Sequence, residues 1–192
     1  AAERGVDPLE CFLDLQAEHG NDLRWFTVVG NDRLKGLEYV VTHPDVLIGG
    51  VVPGDSIDEA VAQIDRQQAA TRFRGVRPMG RSADPVPPPE VLAALSERDL
   101  VFELLARPGQ LSAAAQRLAP FDDLVVVVEH AGWPHTGDAE ERAQWEQGLA
   151  ALASLGERVV CKVSGLAGVA GSHDAAALRP WVEHAIGTFG VE

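Results

Sequence analysis

Residues 124–134 read LVVVVEHAGWP, and this run restricts the fold more than any other part of the chain. Four successive valines, Val125 to Val128, predict a strand buried on both faces, as in a parallel sheet covered by helices. Gly132 and Pro134 end it. Glu129 and His130 therefore fall at the C-terminal end of a strand, where α/β folds gather their chemistry.

The rest of the chain alternates around this run. Asp7, Pro8 and Glu10 supply an N-cap, a first-turn proline and a capping-box acid, so a helix opens there and stops near Gly20. A strand over 24–30 (RWFTVVG), a helix over 33–42 and a buried strand over 46–52 (VLIGGVV) follow. Ser56 and Glu59 cap the next helix, which carries Ile57, Ala60, Val61 and Ile64 at amphipathic spacing. After a short strand over 73–78 (FRGVRP), the proline-rich 84–89 reads as a stiff connector into a helix over 90–98. A strand over 100–106 (LVFELLA) and a helix over 110–118 precede the valine run. Asp138 and Glu141 then cap a long helix with Trp145, Leu149 and Leu152 inward. A strand over 158–166 (RVVCKVSGL) and a helix over 178–189 complete the series.

One helix and six βα units, recurring every roughly 23–34 residues, suit βαβ crossovers. Strict alternation leaves two architectures, a doubly wound open sheet or a (β/α)8 TIM-type barrel. A barrel usually takes about 250 residues. A single domain over 1–192 is thus an open sheet or a barrel lacking pieces.

Net charge bounds the partners. At −13, with basic residues scattered apart from Arg72, Arg74, Arg77 and Arg81, the chain lacks the basic face that nucleic acid requires. Cys11 and Cys161 show no disulfide or zinc spacing, and Cys161 reads as a small buried hydrophobe. No apolar run is long enough to span a membrane and no signal peptide opens the chain, so the expectation is a cytoplasmic protein. Gly165, Gly168 and Gly171 lack the tighter GxG turn, which disfavours a nucleotide cofactor.

Several residues offer chemistry. By strand alternation His130 shares a side with Val126 and Val128, and it stands at the rim of a barrel interior if those valines fill it; the alternative is a structural histidine bonded to a loop. Lys162 and Ser164 share one face of their strand, and a lysine amid VVC and VSG points to a polar mouth or snorkels out at an edge. Arg77 can grip a carboxylate or form a salt bridge to an acidic neighbour. Glu103 is open between metal ligand and ion-pair partner. Trp133 is a pocket wall or a packing residue. His135 reads as a loop residue, and His19, His43, His173 and His184 as surface residues.

FRGVRP, LVFELLA, VVEHAGWP and VVCKVSGL, in this order, resemble the amidohydrolase-related family of fuconolactonase-like and pyrone-dicarboxylate-lactonase-like hydrolases. The resemblance covers most of the chain. It implies a distorted (β/α)8 barrel that hydrolyses a lactone of a sugar acid or dicarboxylic acid. It also implies a small anionic substrate and a divalent metal such as zinc or manganese; a homo-oligomer is a separate expectation. By position, His130 becomes metal ligand or electrophilic donor, and Arg77 and Lys162 hold an anionic substrate; the residues expected to be catalytic are His130 and Lys162, and those expected to contact substrate are Arg77, Ser164 and Trp133. Two family features are missing: an opening Asp-x-His-x-His strand and a closing Phe-Gly-Ser-Asp-Trp-Pro strand. The chain is accordingly expected to be an internal piece of that barrel, in which the valine run is the sixth strand. A non-oxidative decarboxylase and a non-catalytic barrel remnant are the competing readings.

Overall fold

A computed structural model describes residues 48–50, 56–68, 73–78, 84–166 and 174–190. The helix expected from Asp7, the strand over 24–30 and the helix over 33–42 lie outside them. All described residues belong to one compact unit, Arg33–Glu192.

Strands β1 (Ile48–Gly50), β2 (Phe73–Val76), β3 (Val101–Leu104), β4 (Val126–Val128) and β5 (Val159–Cys161) form one sheet in sequential order. Every pairing is parallel. Helices α1 (Ile57–Gln68), α2 (Pro89–Ser96), α3 (Pro108–Leu118) and α4 (Ala139–Ala153) make the crossovers, and α5 (Ala175–Phe189) follows β5. A doubly wound sheet reverses its strand order at a switch point. Among the described strands there is no reversal.

The expectation that the valine run is buried on both faces is corrected. Val126 and Val128 are fully buried, yet Val125 is 42% exposed and Val127 only half-buried. The same alternation holds in β3, where Phe102 and Leu104 are buried and Val101 and Glu103 are not. The core lies on one side of the sheet, between the even-numbered positions of β3 and β4 and the helices.

Local signals in the sequence account for the helix ends. Ser56 Oγ accepts the Glu59 amide at 3.1 Å, although the Glu59 carboxylate turns to Arg66 at 2.6 Å instead of closing the box. Asp138 Oδ1 accepts the Glu141 amide at 2.8 Å. The Glu141 carboxylate reaches back further, taking the amides of Gly137 at 2.8 Å and His135 at 3.0 Å. The connector 84–89 is stiff for a stated reason: Asp84 accepts the Val86 amide, and Arg117 of α3 pairs with Asp84 and donates to the Pro87 carbonyl. Helix α5 starts earlier than its apolar stripe suggests, because Asp174 is its N-cap.

Helices α3 and α4 pack closely because Gly148 presents no side chain; a Cβ there would collide with Leu111. Trp145 of α4 is fully buried and meets Trp181 of α5 edge-on at 4.8 Å. The reading of His184 as a surface residue is also corrected. Its ring is half-buried, 4.9 Å from Trp145. No helix of the described residues is long and apolar enough to cross a membrane.

Candidate active site

Four adjacent strands each deliver one charged group to the same end of the sheet. Gly75 pairs with Val101, so Arg77 and Glu103, each two residues further on, come level. Val127 pairs with Val160, which brings Glu129 level with Lys162. Glu103 itself pairs with Val127. All four side chains lie on the face opposite the helix-packed core.

They close into a ring of alternating sign. Lys162 Nζ lies 2.6 Å from Glu129 Oε1 and 2.8 Å from Glu103 Oε1. Arg77 Nη1 is 3.4 Å from Glu129 Oε2, and its Nε is 3.7 Å from Glu103 Oε2. The Glu129 side chain is 3% exposed, and a carboxylate so buried persists as an anion only when paired. Two cations satisfy that condition, and the ring is formally neutral. Burial alone would lower the Lys162 pKa, but the hydrogen bonds and charges of Glu103 and Glu129 outweigh it and raise it above the ordinary lysine value. The ammonium stays charged throughout the neutral range.

His130 reaches this site by an unusual route. After β4 the backbone turns left-handed for four residues, with φ of 53° at His130, 49° at Ala131, 73° at Gly132 and 45° at Trp133. Three of these are not glycine, and such backbone persists only where its surroundings hold it. Ala131 N–H donates to the Lys162 carbonyl at 2.8 Å. The Trp145 indole N–H donates to the Ala131 carbonyl at 2.5 Å, tying α4 to the turn.

Strand alternation placed His130 with Val126 and Val128 facing an interior, and that geometry is corrected. Those valines face the helices. The left-handed turn swings His130 round to the opposite side, where Nε2 comes within 3.8 Å of Glu129 Oε2. Ser164 Oγ lies 3.0 Å from His130 Nδ1. Gly165, with φ of 66°, backs the ring so closely that a Cβ would sit 2.7 Å from Nδ1. The hydroxyl and the glycine together fix the imidazole plane.

Trp133 is 38% exposed, with its ring 6.2 Å from that of His130. Over it lies Arg107, whose Cζ is 5.4 Å from the ring centroid. Arg107 was not singled out from the sequence. Its signal was an Arg-Pro step after β3 at the N-cap of α3, a position that short polar residues usually fill. Glu103 resolves as an ion-pair partner. His135 lies in a loop, as read. Burial pushes the Cys161 thiol up to about 11, which fits an inert, half-buried residue. Among the described residues, no group of three or more His, Cys, Asp or Glu side chains is arranged to hold a metal ion.

With this geometry established, comparison with known proteins is informative. A family profile described as amidohydrolase matches residues 17–192. An L-fucono-1,5-lactonase of Burkholderia ambifaria is 32% identical over 140 residues, covering 69% of this chain and 47% of the relative. The chain thus spans about half the length of that relative. An amidohydrolase of Burkholderia multivorans, solved with bound HEPES, superposes with a TM-score of 0.65 at 24% identity, over 84% of this chain and 62% of the other. A second structure of that protein contains zinc, with a TM-score of 0.50 at 21% identity, over 82% of this chain and 69% of the other. A probable 2-pyrone-4,6-dicarboxylic acid hydrolase of Acinetobacter baumannii, with citric acid bound, gives 0.61 at 19% identity, over 96% of this chain and 71% of the other. At these identities the structures speak to the fold.

Proposed function

Because this chain belongs to the amidohydrolase family, we propose that the whole protein is a hydrolase that opens a lactone of a sugar acid or dicarboxylic acid. The observation that carries this reading is the His130 turn, a strand-end imidazole on left-handed backbone held beside a ring of four paired charges whose Glu129 is buried. In the whole protein, the sequentially wound sheet is one part of a closed (β/α)8 barrel.

Lactone hydrolysis needs a water to attack the carbonyl carbon, an oxyanion to be stabilised, and the ring oxygen to leave with a proton. His130 Nδ1 is taken by Ser164, so Nε2 is the nitrogen that moves a proton at the reacting carbonyl. Lys162, 47% exposed, and Arg77, 33% exposed, keep part of their surface open while pinned by carboxylates. They offer fixed positive charge where the oxyanion develops. Trp133 walls the pocket. A small anionic substrate suits these groups, as HEPES and citric acid suit the two solved relatives.

The described residues do not by themselves make a metal site. Both Glu129 oxygens are held by cations, and His130 has no further pair of donors beside it among them. Zinc, bound by the Burkholderia multivorans protein, would need His130 together with donors beyond the described residues, so no step above passes through a metal.

The test is proton release by the full-length protein in a pH-stat, with L-fucono-1,5-lactone and 2-pyrone-4,6-dicarboxylate in the panel. Turnover should release acid without carbon dioxide. Carbon dioxide release would support a decarboxylase instead. Silence across lactones and acids would leave a non-catalytic barrel.

A further inference from the structure

We propose that Arg107 is a specificity-determining residue that holds a carboxylate carried by the lactone, so that carboxylated lactones are preferred to neutral ones. This rests on the hydrolase reading above and adds to it the substrate's charge.

Charge accounting at the sheet end is the first argument. Arg77 and Lys162 are each shared between two carboxylates and, in the hydrolase reading, face the developing oxyanion, so neither is left to hold a second anion. Arg107 stands at the same end, just after β3, exposed, and pairs with no carboxylate among the described residues. In a chain of net charge −13, an anion approaching the site needs such a local cation.

Geometry is the second. Trp133 is in contact range of both Arg107 and His130. Stacking over an indole uses the face of a guanidinium and leaves its N–H donors free at the edge. A carboxylate accepts two of those donors side by side, a match that lysine cannot reproduce.

Full-length wild type, Arg107→Gln and Arg107→Lys are compared on 2-pyrone-4,6-dicarboxylate and on neutral L-fucono-1,5-lactone. Arg107→Gln should lower kcat/KM for the carboxylated lactone by roughly 10–100-fold, mainly through KM, and leave the neutral one within about threefold. Arg107→Lys should fall between. Equal losses on both lactones, or none on either, would overturn the proposal. If neither lactone turns over, the hydrolase reading fails, and tryptophan fluorescence titration with the carboxylated lactone decides this one separately. Binding lost in Arg107→Gln at unchanged Tm supports it; binding unaltered by the substitution, or absent in wild type, overturns it.

Discussion

Ser164 acts on the imidazole, and its contact with His130 Nδ1 sets which nitrogen faces the site. Supporting partners of this kind typically contribute about 10-fold or more to activity when they orient a reacting imidazole. Ser164→Ala should therefore lower kcat by about 10-fold with little change in KM, and Ser164→Thr, which keeps the hydroxyl, should restore most of it. A rise in KM with kcat intact would assign Ser164 to substrate contact, the role expected of it from the sequence. Sequence reasoning placed Ser164, Lys162 and His130 near one another because all three end parallel strands. It had no means of pairing Ser164 with His130. A period of two describes extended backbone only, and the link depends on four residues with positive φ. Glu129 was likewise legible as a strand-end acid, but its burial emerges only from the register that brings Arg77, Glu103 and Lys162 around it.

At the scale of elements, α4 holds the left-handed turn that carries His130 as well as covering the sheet. Among the described residues, the indole of Trp145 is its anchor to the Ala131 carbonyl. Trp145→Phe preserves most of the apolar packing but leaves that buried carbonyl without its donor, a loss of about 1–3 kcal/mol. Urea unfolding should register it, and kcat should fall too, because the carbonyl belongs to the turn that carries His130. An unchanged kcat would separate α4 from the site. The elements themselves were largely legible. Capping residues gave the starts of α1 and α4, and the proline-rich connector was read correctly because its neighbours were. One-sided burial was not, since a run of valines looks alike whether one face or both are covered. The start of α5 was missed because Ala175 to Ala177 carry no amphipathic signal ahead of Leu178.

For the whole molecule, the five described strands follow one another in parallel order with helices between them, an α/β arrangement consistent with part of a barrel. The charge ring belongs to this scale, because its four members come from four strands and no local motif contains two bonded partners. Such a site exists only when the sheet is in register. One side chain decides the functional reading: we propose that His130 carries the chemistry of a lactone hydrolase and does not merely brace a turn. Asparagine tolerates left-handed backbone better than alanine, so His130→Asn removes the imidazole while sparing the turn. The decisive measurement is kcat/KM and Tm of the full-length His130→Asn protein beside wild type, on whichever lactone wild type hydrolyses fastest. A chemical role for His130 predicts a loss of roughly 10²–10⁴-fold in kcat/KM with Tm within a few degrees. A large fall in Tm with activity lost only in proportion to the folded protein remaining would contradict it.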